Sequence, residues 1–181
     1  YIPSTEKPYE WPNIGFRAPL LSYLLALVYF LGLDILIPFV VPLIATASIY
    51  LVYVLGKKLF DASTGLYAAL FFSLLPIHIL FSGKTMTDTV VIFFILLSFI
   101  SFWKGYELQD KKHKIFFGIF LALALLSRYT TLWIAPIFLL YFLVRDKSLA
   151  ILKDRYLWGA IFSFLIILSP WFGYGMSHYG H

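Results

Sequence analysis

The chain has 181 residues, of which 61% are hydrophobic, 20% aromatic and 13% charged, and its mean hydropathy is +0.88. A soluble domain is about 45–50% apolar, so this composition excludes an ordinary soluble fold and indicates an all-α, polytopic transmembrane helical bundle. The net charge of +5 sits in short basic clusters between apolar runs, not in a stripe interleaved with stacking aromatics, which fits membrane orientation and not nucleic acid; the absence of cysteine excludes disulfides, thiolate metal sites and a cysteine nucleophile.

In chain order, Tyr1 to Arg17 carries Pro3, Pro8 and Pro12 together with Tyr9, Trp11 and Phe16, the composition of an extramembrane loop lying on an interface. The first residue is Tyr1 and no signal peptide follows it, so the sequence reads as a piece of a longer protein. Pro19 opens an apolar run to Gly32 that reaches about 20 Å as a helix, short of a hydrocarbon core of about 30 Å. It is expected to lie in or dip into the interface, so that 1–34 forms an outer loop with an interfacial helix. Asp34 is the expected cap of a span over 35–55, and further spans are expected at 65–81, kinked at Pro76, and at 90–103. The apolar block from Ile115 to Val144 has basic residues at both ends. The bias of Lys and Arg toward cytoplasmic loops therefore predicts a hairpin, 115–128 and 132–144, turning at Arg128 to Thr131. A last span, 156–169, is expected to stop at Ser169-Pro170-Trp171.

The chemistry-bearing residues gather on one side of this layout. Between two apolar segments stands Ser82-Gly83-Lys84-Thr85-Met86-Thr87-Asp88, and ionisable groups beside hydrocarbon are costly enough to need a capping, packing or chemical reason. Asp88 suits a helix N-cap for 90–103, or a rigidly held carboxylate serving catalysis. Lys84 suits a side chain snorkelling to headgroups, or positive charge toward a phosphate. Arg128, a guanidinium inside an apolar block, suits either a salt bridge to Asp88 or a lipid phosphate, with Tyr129, Thr130 and Thr131 as added hydroxyl donors. His78 reads as a core histidine, and His178 and His181 read as a solvated tail.

Several segments resemble, in order, the GT-C superfamily of polyprenyl-phosphate-dependent glycosyltransferases, in particular protein O-mannosyltransferases and lipid A aminoarabinose transferases. Arg17-Ala18-Pro19-Leu20-Leu21-Ser22-Tyr23-Leu24 is similar to their "PPL-x-Y", Tyr53 to Phe60 to "LGRRLFG", and Leu75-Pro76-Ile77-His78 to "SPLHL". Thr87-Asp88 is similar to the following "TD", Leu123 to Arg128 to "GLALLTK/R", and Ser169-Pro170-Trp171 to "PW". The resemblance implies a partial transmembrane domain, 1–181, of a transferase that passes a sugar from a polyprenyl-phosphate donor to a lipid, glycan or protein acceptor. It also implies multi-pass placement in the plasma membrane with the active face outside. The family's principal acidic pair follows a first transmembrane helix and is expected upstream of Tyr1, so the segment alone is expected to be inactive. On this resemblance Asp88 is the catalytic candidate, and Glu10 is the weak candidate ligand for a divalent metal. Arg128 and Lys84 are the candidates for the lipid phosphate. A membrane transporter or a non-catalytic membrane subunit is the alternative, although no repeat-related interrupted helices of the transporter kind occur.

Orientation follows from counting. Lys57, Lys58, Lys104, Lys111, Lys112, Lys114, Arg145, Lys147, Lys153 and Arg155 fall in the loops expected to be cytoplasmic, against Lys7, Arg17, Lys84 and Arg128 on the other side, ten of the fourteen basic residues. Because the chain is free of cysteine, single substitutions test this directly: an impermeant maleimide should label Lys84→Cys from outside and leave Lys57→Cys, Lys111→Cys and Lys153→Cys untouched. External labelling of Lys111→Cys would reverse the topology.

Overall fold

The structure is a computed structural model that describes residues 18–146 and 153–179, and within these it is all helical. Its helices are α1 (Leu20–Phe30), α2 (Ile37–Leu59), α3 (Ala62–Leu74), α4 (Pro76–Ser82), α5 (Thr87–Phe102), α6 (Lys111–Ser127), α7 (Ala135–Asp146) and α8 (Arg155–Tyr179). Three stretches, Asp34–Leu59, Thr87–Glu107 and Arg155–Ser177, are long and apolar enough to cross a membrane, and α3 with α4 makes a fourth if the bent pair counts as one span. With only lipid outside, such helices must satisfy their own backbone groups. The molecule is accordingly an integral membrane helical bundle.

The prolines show how that requirement shapes the spans. Pro76 forces Leu75 into an extended conformation, φ −60° and ψ 121°, and the path bends by 64° between α3 and α4. The expected kink is thus a full break. The carbonyl of Phe72, which a residue at 76 would ordinarily bond, accepts instead from the N–H of Leu75 at 3.3 Å. Pro170 has the opposite outcome: α8 runs through it to Tyr179, past the stop the sequence predicts and into the segment expected to be a solvated tail, so that His178 lies in the helix. The hydroxyl of Ser169 donates to the carbonyl of Ile166 at 2.9 Å, the acceptor that Pro170 leaves without its N–H.

Caps fix the shorter turns. Asp61 accepts the Thr64 N–H at 2.7 Å at the start of α3, and Asp110 accepts the Lys112 N–H at 2.9 Å at the start of α6. Asp34 does not cap α2. It begins a 3-10 turn, Asp34–Leu36, after Gly32 has reversed the chain at φ +68°, and its side chain makes no capping bond.

Two clusters hold the bundle. At one end Leu20, Leu21, Val41, Val90, Ala122, Leu125, Leu126 and Leu168 bring α1, α2, α5, α6 and α8 together. At the other, Phe102, Phe117 and Phe138 meet with ring centroids 4.7–5.3 Å apart over buried Tyr106, and this contact turns α7 back along α6 after the 3-10 turn Tyr129–Ile134. Beside the second cluster Lys114 is buried and paired: its Nζ donates to Asp154 Oδ2 at 2.5 Å and to Gln109 Oε1 at 3.2 Å, and lies 5.2 Å from the Tyr106 ring centre. The pair joins α6 to the start of α8, where Asp154 also accepts the Tyr156 N–H.

Two predictions follow from the α6–α8 contact. A Cβ on Gly118 would stand 2.1 Å from the carbonyl oxygen of Ala160, so one helix must move. Gly118→Ala should therefore cost about 1–3 kcal/mol, read as a fall in the thermal midpoint in detergent. Gly159→Ala, whose new methyl meets only Ile115 side-chain atoms at 3.7 Å or more, should change stability by about 0.5 kcal/mol or less.

For Asp154, partial burial raises the carboxyl, but the Lys114 hydrogen bond, the Tyr156 N–H and the charges of Lys114 and Arg155 outweigh it and hold the group below its ordinary value of 3.8. A depressed folded value means the pair stabilises the protein above about pH 4 and ceases to as pH falls through the folded value. Asp154→Asn should lower stability at neutral pH by about 1.5–3 kcal/mol, and the gap to the parent should close on acidification below pH ~4. A gap that stays constant from pH 7 to pH 3 would remove the pair's assigned role.

Candidate active site

Residue spacing alone puts Asp88 and Arg128 on separate helices, and the bundle brings them together. Asp88 lies in the first turn of α5, a favourable place for an anion because the helix dipole and free N–H groups point there. Arg128 follows the last residue of α6, where an extended conformation, φ −160° and ψ 121°, ends the helix. Its Nη1 donates to Asp88 Oδ1 in a direct ion pair that links the end of α6 to the start of α5.

This pairing corrects the capping expectation for Asp88. The helix starts earlier than expected, at Thr87, with Met86 in the cap position and no side-chain capping bond, so Asp88 is already inside the first turn and its carboxylate meets the guanidinium instead. The structural alternative foreseen for Arg128, a salt bridge to Asp88, is formed. It does not exhaust the residue: Arg128 is 48% exposed and Asp88 30%, and among the described residues a single guanidinium nitrogen is engaged. Exposed ion pairs contribute about 0–1 kcal/mol. A pair worth so little to the fold leaves a guanidinium that is aimed yet still accessible.

The accessible side faces a cavity of about 530 Å³ lined by Thr85, Thr87, Asp88, Arg128, Tyr129 and Thr130, closed at its edge by Leu21 and Ser22 of α1. The hydroxyls divide sharply. Thr131 is buried and donates to the Ala124 carbonyl at 3.3 Å, closing the last turn of α6, so it is not one of the donors expected to serve the site. Ser127 is likewise committed to Leu123, at 2.9 Å. Thr130 is exposed on the cavity wall. Tyr129 lines the cavity with its oxygen held by the indole Nε1–H of Trp171 at 2.5 Å, a contact across forty-two residues that no local spacing suggests.

The other expected site residues fare differently. Lys84 is exposed in the turn between α4 and α5, one residue before the cavity wall begins at Thr85, and is not among the residues lining it. Glu10, the candidate metal ligand, lies outside the described residues, as do Glu6, Arg17 and His181. Among the described residues no three His, Asp or Glu side chains come together as a metal would need, so no step is built on one. His78 is buried with its ring centre 4.3 Å from that of Phe72. It borders a second, largely apolar cavity of about 240 Å³ between α4 and α5, which also reaches Asp88 and the buried Thr89.

Comparison with known proteins bears on this arrangement. The family model described as dolichyl-phosphate-mannose-protein mannosyltransferase matches residues 16–174, a range that contains Asp88, Arg128, Tyr129 and Trp171. No curated protein and no solved structure gives a significant match.

Proposed function

The chain belongs to the dolichyl-phosphate-mannose-protein mannosyltransferase family, a family of membrane glycosyltransferases, and from that premise we propose that its Arg128 binds the phosphate of a polyprenyl-phosphate-linked sugar while Asp88 holds Arg128 in place. The observation that carries this reading is the half-exposed Asp88–Arg128 pair on the wall of a cavity at one end of an apolar bundle. In the transfer, an acceptor hydroxyl gives up its proton to a general base as its oxygen bonds to the sugar's anomeric carbon, the bond from that carbon to the phosphate oxygen breaks, and the lipid phosphate leaves with an added negative charge. A guanidinium is suited to that charge because it stays protonated and presents forked N–H donors to phosphate oxygens. Donors already aimed where charge develops lower the barrier without reorganising.

Asp88 supports the reaction by positioning. Without it, Arg128 would keep its charge and lose its direction. The balance of basic residues supports a cavity that opens on the outer face of the plasma membrane, where lipid, glycan or protein hydroxyls are the acceptors. The transporter and non-catalytic alternatives lose ground to the family membership, which implies a dolichyl-phosphate sugar donor.

The test is donor affinity and turnover in the full-length protein with dolichyl-phosphate mannose. Arg128→Ala should weaken donor binding by about 10- to 100-fold, the loss of a charge-assisted hydrogen bond, and Arg128→Lys should retain part of it. Asp88→Asn, which keeps the shape and removes the charge, should lower kcat while leaving the protein folded. Wild-type donor affinity in a folded Arg128→Ala variant would reduce the pair to a structural link.

A further inference from the structure

The hydrogen bond between Trp171 and Tyr129 carries more than packing. An indole N–H can only donate, so the phenol oxygen of Tyr129 is the acceptor and its own proton must point elsewhere. Among the described residues nothing accepts that proton, although the side chain lines the same cavity as Arg128, its neighbour in sequence. A half-buried phenol whose oxygen is held by the indole, on the wall of that cavity, keeps a proton to donate to an acceptor bound there.

We propose that Tyr129 is a phosphate-binding hydroxyl of this site and that Trp171 is its positioning residue, so that an oxygen of the lipid monophosphate accepts from the Tyr129 hydroxyl as well as from the Arg128 guanidinium. The proposal rests on the assignment of the phosphate to Arg128. Phosphate oxygens suit the pair because each accepts more than one hydrogen bond, and a neutral phenol adds directionality without adding charge. Trp171 reaches Tyr129 only because α8 continues through Pro170, and the indole is half-buried against the Leu20 to Leu168 cluster, which fixes its orientation. The contact therefore ties the donor on the α6–α7 turn to a rigid helix, where a turn residue alone would swing.

The experiment uses the full-length protein in phosphatidylcholine nanodiscs, with dolichyl phosphate as ligand and dolichol, which lacks the phosphate, as control. Tyr129→Phe should weaken dolichyl phosphate binding about tenfold, the loss of one hydrogen bond to a charged group, and leave dolichol binding unchanged. Trp171→Phe keeps an aromatic ring and removes the N–H, and should weaken dolichyl phosphate binding by a smaller factor. The double variant Tyr129→Phe/Trp171→Phe should bind like Tyr129→Phe alone, since Trp171 acts through the phenol. Additive losses would overturn the positioning role. A 3-fluorotyrosine at position 129 gives an independent reading in an otherwise unaltered protein: its fluorine resonance should move with dolichyl phosphate and stay still with dolichol. Undiminished binding by Tyr129→Phe, together with weakened binding by Arg128→Ala, would overturn this inference and leave the Arg128 assignment standing; undiminished binding by Arg128→Ala would remove both.

Discussion

A guanidinium and a carboxylate at the rim of an apolar bundle set the arrangement on which the site depends. Each alone would be an uncompensated charge beside hydrocarbon, and together they tie the end of α6 to the beginning of α5. Neighbouring features follow from that tie. The α6 helix must stop where Arg128 can reach across, which its extended backbone achieves, and the Ala124 carbonyl at that end accepts both the Arg128 N–H and the Thr131 hydroxyl. The chain then turns through Tyr129–Ile134, placing Tyr129 and Thr130 beside the guanidinium as wall residues of the same cavity.

Backbone satisfaction in lipid explains why two proline-containing spans differ. A proline withholds one N–H from the carbonyl four residues earlier, and the outcome depends on which neighbour can supply a substitute. At Pro170 the preceding Ser169 provides its hydroxyl and the helix goes on. At Pro76 the preceding Leu75 has no such group, so its own backbone N–H turns to Phe72 and the span breaks. The consequences reach the site from both sides: the break steers α4 toward the Gly83 to Met86 turn that precedes Asp88, and the continuation delivers Trp171 to Tyr129.

Fold class, family and the polar stretch around Asp88 were legible in the sequence because they rest on composition, on the charges bounding apolar runs and on local motifs. The partner of Arg128 was legible too, since a guanidinium in an apolar block has few candidates and Asp88 was one. What local patterns could not carry was the fate of individual hydroxyls. Thr130 and Thr131 are adjacent and chemically identical, yet one faces the cavity and the other closes a helix. The exact start of α5 was also beyond reach: a start at Thr87 instead of Val90 turns Asp88 from a cap into a first-turn charge, and Thr-Asp reads equally well as either. The Trp171 to Tyr129 bond joins residues whose proximity arises only from packing α8 on α6.

The Lys114–Asp154 and Asp88–Arg128 ion pairs show why identical chemistry serves different ends. Lys114 and Asp154 are 8% and 19% exposed, and Lys114 has a second hydrogen bond and an aromatic face around its ammonium. Breaking such a pair strands a buried charge, so it is tied to the fold and cannot be lent to a ligand. Arg128 and Asp88 are 48% and 30% exposed, with one guanidinium nitrogen engaged among the described residues. Little stability is at stake there, and the residue lines a cavity. Burial therefore sorts the pairs: the closed one fixes α8 against α6 at one end of the bundle, and the open one stands at the other end, where the same two helices meet again through Trp171 and the α6–α7 turn.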